Sequence, residues 1–216
     1  MAKLKVGILI SGRGSNMAAL IRAAEAPDYP AEIACVVSNV AAAPGLQIAE
    51  RAGIETEIVS HRDYSERESF DRTVSAVFEE HGVELVALAG FMRILSPWFP
   101  QRWAGRLINV HPSLLPAFKG LHVQRQALDA GVRLSGCTVH YVTGDLDGGP
   151  IIAQAAVPVL PGDTEKALSE RILRQEHRLY PMVVRWIGEG RVTLSGSHVD
   201  VAGIPPGATL LFSPDP

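Results

Sequence analysis

The chain has 216 residues, 47% of them hydrophobic and 20% charged, which is enough apolar material to bury a sizeable core in one domain and excludes disorder at large. A net charge of −3 excludes a strongly basic binder of nucleic acid or anionic membrane, so an anionic ligand has to be held by local devices. Two cysteines, Cys35 and Cys137, lie apart inside apolar runs and read as reduced buried thiols, not as a disulfide framework or a zinc site.

The opening "MAKLKVGILISGRG" is basic, but its apolar segment is short and broken by Gly12 and Gly14. No stretch approaches the roughly 18 apolar residues of a membrane span. A soluble, unprocessed, cytoplasmic protein is expected. Short β-branched runs then alternate with helical spacing. "KVGILIS" and "EIACVVS" read as strands buried on both faces, "TEIVS" as a shorter strand, and "VELVALAG" and "RLINVH" as a fourth and a fifth. "NMAALIRAAEA", "GLQIAERAG" and "SERESFDRTVSAVFEEHG" read as helices, the last capped by Ser65 and stopped at Gly82. This is an α/β pattern: a doubly wound, mostly parallel sheet with helices on both faces and ligands beyond the carboxyl ends of the strands. "SGCTVHYV" and "GPIIAQAAVPVL", separated by the turn-rich "TGDLDG", predict an antiparallel strand pair at one edge. A long helix follows from about Thr164 to Gly188, capped by Asp163 or Thr164. The division expected is one domain over residues 1–191, then a surface tail over 192–216.

Three constellations can carry chemistry. In "SGRGSN", Gly12 and Gly14 let backbone N–H groups approach an anion at a helix start, with Ser15 and Asn16 adding hydrogen bonds. The string matches neither the Walker pattern nor the full dinucleotide fingerprint, and a tight turn that needs glycine accounts for it equally well. In "INVHP", Asn109 and His111 lie two residues apart on one strand face, and Pro112 ends the strand behind them. An amide beside an imidazole suits acyl transfer, one holding a developing oxyanion while the other assists proton movement. The competing reading is a strand-end cap and a satisfied core histidine. In "TGDLDGGPI", Asp145 suits an Asx turn, whereas Asp147 can orient His111 if the loop folds back on the fifth strand.

The strings "LISGRGSNMAAL", "LAGFMRILSP", "INVHPSLLP", "GCTVHYVTGDLDGGPIIAQ" and "QEHRLYP", in this order, resemble the phosphoribosylglycinamide formyltransferase family over nearly the whole chain up to about Arg191. The resemblance implies transfer of a formyl group from 10-formyltetrahydrofolate, as cosubstrate, to the amino group of glycinamide ribonucleotide in purine synthesis. It implies a monomer or homodimer acting on small molecules, with no metal, no nucleic acid and no membrane.

It also implies a phosphate-binding first half of the domain, a folate and catalytic second half, and roles by position. Asn109, His111 and Asp147 match the catalytic trio. Gly12, Arg13, Gly14, Ser15 and Asn16 match the phosphate loop, and Arg67 and Glu176 match further ribonucleotide contacts. Arg67 lies in the charged run "SERESFDR", where a solvated helix face is the ordinary reading. Met92, Arg93, Ile94 and Leu95 match the folate segment, where core packing is the alternative for the apolar members, and His140 matches a position lining the site. One departure stands in "KGLHVQRQAL": Val123 and Gln124 occupy places where the family commonly has threonine and histidine in a loop that closes over substrate. The rival functions are a 10-formyltetrahydrofolate hydrolase and a noncatalytic nucleotide-binding module.

Overall fold

The computed structural model describes residues 2–203. Strand β1 (Leu4–Ile10) shows why the first half is organised as it is. Ile8 and Ile10 pack into one hydrophobic core while Leu9, between them, packs into a second on the opposite face. A strand covered on both faces has no polar side to show, and it reads as a continuous apolar run.

Helix α1 (Ser15–Ala24), β2 (Ala31–Ser38), α2 (Pro44–Arg51), β3 (Thr56–Ile58), α3 (Arg67–Glu80), β4 (Leu85–Leu88), a short α4 (Trp98–Arg102) and β5 (Leu107–His111) follow. Then come α5 (Val123–Asp129), β6 (Leu134–Tyr141), β7 (Ile151–Pro158) and α6 (Glu165–Gly188). The seven strands form one sheet in the order β3-β2-β1-β4-β5-β6-β7. β1 to β5 are mutually parallel, β6 runs antiparallel to β5, and β7 pairs antiparallel with β6 at the edge, as the sequence predicts.

One core lies under α1, α2 and α6, with Leu20, Leu46, Ile172 and Val183 against Ile8 and Ile108. The other lies under α3 and α4, where Phe70, Phe78, Phe99 and Trp103 meet Leu9, Val37 and Leu107. Each fully buried side chain of this size contributes about 1.5–3 kcal/mol relative to exposure. Helix α6 is pinned to the sheet by Tyr180, whose hydroxyl reaches the carbonyls of Leu88 at 3.0 Å and Ile108 at 3.2 Å.

One boundary is settled between its two expected caps and two others differ from expectation. Thr164 is the cap of α6, its Oγ1 accepting from Ala167 N at 3.2 Å, while Asp163 takes a two-pronged hydrogen bond from Arg171 that holds its carboxyl below the usual range. Helix α3 begins at Arg67 behind an extended Glu66 that makes no side-chain cap, so Ser65 does not cap it. The expected tail opens with a hairpin, β8 (Val192–Ser195) paired with β9 (His198–Val201), whose Val192, Val199 and Val201 pack against the core. Residues 204–216 of that tail lie outside the described residues.

Candidate active site

The chain leaves β1, runs outward through β2 and β3, and returns to β4 on the other side of β1. Between β1 and β4 the sheet order reverses, and a crevice opens at the carboxyl ends of the two strands. A cleft of about 570 Å³ occupies it, lined by Ser11 to Asn16 after β1, by Ala89, Gly90, Met92 and Arg93 after β4, and by Asn39, Val40 and His61 from the outer strands. Gly14 caps α1 with φ +70°, a left-handed conformation that glycine adopts without strain. A Cβ there would stand 2.9 Å from the Cα of Gly45, which donates its own N–H to the Gly12 carbonyl at 3.0 Å. Glycine is therefore required at position 14 by conformation and by close packing together. The loop presents free N–H groups at the positive end of a helix dipole, a competent anion cradle.

Asn16, buried on the first turn of α1, donates to Glu176 Oε2 on α6 at 2.7 Å. Burial pushes the Glu176 carboxyl up, against the pull of that hydrogen bond. Two residues 160 positions apart thus meet at one wall, and Asn16 Oδ1 has no hydrogen-bond partner among the described residues. Arg13 and Arg67 are both exposed, Arg13 on the cleft and Arg67 at the head of α3.

The second cluster forms where the parallel part of the sheet meets the antiparallel part. His111, 5% exposed, ends β5 with Nε2 3.0 Å from the Phe118 carbonyl, so Nε2 carries a proton and donates it. Its Nδ1 faces Asp147 Oδ2 at 3.5 Å. The expected fold-back of the loop after β6 is present: Asp147 has φ +46°, and its Oδ2 also accepts from Gly120 N at 2.9 Å. Asp145 closes the turn through its main-chain carbonyl, which accepts from Gly148 N at 3.2 Å.

Asn109 sits opposite His140 across the β5–β6 ladder. The His140 Nδ1–H donates to the Tyr141 carbonyl at 2.9 Å, leaving Nε2 as an acceptor for Asn109 Nδ2 at 3.3 Å. Burial, opposed by that Tyr141 bond and the Asp147 charge, lowers the pKa of His140 and keeps it a neutral acceptor. The orientation of the Asn109 amide follows, with one N–H engaged and the other available. His140 is 2% exposed and faces this amide from within the sheet.

The loop carrying the Phe118 carbonyl is itself braced. Thr138 Oγ1 donates to Ser113 O at 2.7 Å and accepts from Leu115 N at 3.0 Å, while Gln154 on β7 donates to both Thr138 Oγ1 and Leu115 O at 2.9 Å. In the segment after β4, Met92 and Ile94 are 75% and 62% exposed, a large apolar display, and Met92 N donates to Ser11 Oγ at 2.9 Å, tying the segment to the glycine loop. Val123 is buried at the start of α5 and Gln124 is half-buried beside it. Cys35 and Cys137 are buried and free, with burial pushing both thiols up to about 12, so neither is an activated nucleophile.

Sequence reasoning missed Asn39, Val40 and His61 on the cleft wall. Each follows a strand, and the carboxyl-end rule for doubly wound sheets would have nominated them. Gln154, Thr138 and the Phe118 carbonyl carry no sequence signal, because their part depends on a strand pairing and a loop path.

Residues 4–184 match the formyl transferase family, and the chain belongs to it. It is 43% identical over 205 residues to the phosphoribosylglycinamide formyltransferase of Escherichia coli, covering 94% of this chain and 97% of that one. It is 51% identical over 190 residues to the trifunctional purine biosynthetic protein adenosine-3 of Gallus gallus, covering 88% of this chain but only 19% of that relative. The crystal structure of glycinamide ribonucleotide transformylase 1 from Symbiobacterium toebii superposes with a TM-score of 0.90 at 45% identity, covering 92% of this chain and 94% of that one.

Proposed function

We propose that this chain transfers the formyl group of 10-formyltetrahydrofolate to the amino group of glycinamide ribonucleotide, giving the formylated ribonucleotide and tetrahydrofolate. The observation that carries this reading is the match, over almost the full length of both chains, to the E. coli enzyme named for that reaction. The described residues contain no cluster of three or more metal-ligating side chains, and none of their helices is long and apolar enough to cross a membrane.

The roles of the side chains are inferred from their geometry. The ribonucleotide phosphate rests on the N–H groups of Gly12 to Asn16, with Arg13 and Arg67 adding charge from the exposed side and Glu176 accepting from substrate hydroxyl or amino groups. The folate lies along Met92 to Leu95, its heterocycle against the exposed Met92 and Ile94 and read by main-chain groups near Arg93 and Leu95. The neutral amine attacks the formyl carbon, and the carbonyl electrons move to oxygen. Asn109 meets that oxyanion with the N–H left free by His140. His111 acts through Nδ1, since Nε2 is committed to Phe118, and a proton on Nδ1 is flanked by Asp147. The tetrahedral centre collapses with N10 of the folate leaving and taking up a proton, while the attacking nitrogen releases one through water organised by Asp147. Holding both substrates with reacting atoms adjacent removes the entropy of a bimolecular encounter. The domain unit proposed for this work runs to Arg191.

The test is an assay of folate product with and without the ribonucleotide. Product formed only with the ribonucleotide is expected. Equal formation without it would assign the chain to the hydrolases, and no product under either condition would remove it from the enzymes acting on these substrates.

A further inference from the structure

Asp71 is a fully buried carboxylate that the chemistry above does not use. It lies on the second turn of α3, and its partners are on the loop after β4. Its Oδ2 accepts the Ser96 main-chain N–H at 2.6 Å. Burial pushes its carboxyl up, while the Ser96 contacts and the charge of Arg93 oppose that push. Phe70, the preceding helix residue, has the Arg93 guanidinium 5.3 Å from its ring centre and stacks on Phe91 with the ring planes 3° apart. Two adjacent residues of one helix therefore hold Phe91, Arg93 and Ser96. Asp71 Oδ1, Arg93 Nε and Ser96 Oγ are all buried without a hydrogen-bond partner of good geometry among the described residues, so polar groups are concentrated behind this loop.

The loop alternates. Phe91 and Arg93 turn inward to α3, whereas Met92 and Ile94 turn outward at 75% and 62% exposure. A buried carboxyl is costly unless it is paired or hydrogen-bonded, and the bond Asp71 makes is to a loop with two exposed apolar side chains between inward anchors.

We propose that Asp71 is a positioning residue for the folate cosubstrate: by clamping Ser96 and the Arg93 side of the loop, it fixes the main-chain groups and the apolar face of Met92 and Ile94 against which the heterocycle binds. The proposal rests on the reading that Met92 to Leu95 carry the folate.

The experiment compares wild type, Asp71→Asn and Ile94→Asp by steady-state kinetics and by binding of a folate analogue lacking a transferable formyl group. For Asp71→Asn, the folate KM and the analogue Kd rise about tenfold, the scale of one weakened charge-assisted hydrogen bond, while kcat and the ribonucleotide KM stay unchanged. Ile94→Asp, on an exposed side chain, raises the same two folate quantities. If Ile94→Asp does so and Asp71→Asn does not, the Asp71 proposal falls and the folate reading stands. If neither does, the folate reading of this loop falls and takes the proposal with it. A uniform loss in every parameter with a lower Tm makes Asp71 purely structural and also overturns it. Should Asp71→Asn not fold, amide exchange in the wild type decides: a Ser96 N–H that exchanges slowly, and more slowly with the analogue bound, supports the clamp, and exchange as fast as an open loop amide refutes it.

Discussion

The loop after β1 and the end of β5 both lie at carboxyl ends of parallel strands, but they use their residues in opposite ways. Gly12 to Asn16 offer mostly main chain, and what the loop cannot tolerate is a Cβ: at Gly14 one would stand 2.9 Å from Gly45. The end of β5 offers side chains, and what it cannot tolerate is a change of chemistry. Asn109 and His111 each have a defined partner, His140 for the first and Phe118 O and Asp147 for the second. A main-chain cradle suits a symmetric anion such as phosphate, whereas an oxyanion that forms for an instant needs donors already aimed. The contrast predicts that damage to the first region reads out in binding and damage to the second in turnover.

The sharpest test is His111→Asn, which keeps a polar side chain of moderate size. Turnover falls about 10²- to 10⁴-fold while the ribonucleotide KM holds, and a loss spread equally over both would dissolve the contrast. Asp147→Asn comes next. Asparagine accepts the φ of +46° and can still receive the Gly120 N–H, so the loop persists while single-turnover rates drop about 10²-fold, the lower end of proton-transfer assistance. Gly14→Ala attacks the other region: the left-handed conformation costs about 1–2 kcal/mol, Tm falls, and the ribonucleotide KM rises with kcat little changed. A kcat effect larger than the KM effect would count against a pure binding role for the loop.

The acid side offers a milder test. His140 and His177 both have folded pKa values lowered by burial, so the unfolded chain binds more protons than the folded one once pH drops below about 6.5. Their stabilisation is complete above that value and is lost as pH falls toward the folded pKa. Thermal melts across pH 5 to 7.5 should show Tm declining on the acid side, with a shallower slope for His140→Gln. An unchanged slope in the variant would mean that His140 does not titrate in this window. The smallest effect is expected from the double change Val123→Thr and Gln124→His, which stays within about threefold of wild-type turnover at a modest stability cost, because a hydroxyl enters a buried site. A gain of orders of magnitude would show the loop to be impaired as it stands.

The parallel part of the fold was legible because strands packed on both faces announce themselves as apolar runs, and β1 and β2 carry little else. Helices α4 and α5 were not, being only 5 and 7 residues long, too short to establish a period. The β8–β9 hairpin had a signal in "VTLSGSHVDV", a Ser-Gly-Ser turn between β-branched runs, but its exposed strands lack a strong apolar face. In the candidate site, residue pairs on one strand were predictable from alternation, and Asn109 with His111 is such a pair. The meeting of Asn16 with Glu176 was not, since nothing local relates residues 160 positions apart. Asp71 was hidden for a different reason: inside "SERESFDR" it looks like one more charge on a wet helix, and only the return of the chain after β4 buries it.

Gln154 stands on β7, one of the two edge strands of the sheet, yet it is separated from the His111 ring only by Thr138, Leu115 and the short loop to Phe118. Edge strands open at lower free energy than the centre of a sheet. On warming, the brace at Gln154 is expected to let go before β1 or β4 does, and the acceptor that holds the histidine to drift with it. Loss of activity is then expected while most of the molecule is still folded, which would make the half-life of activity and the half-life of structure two different clocks.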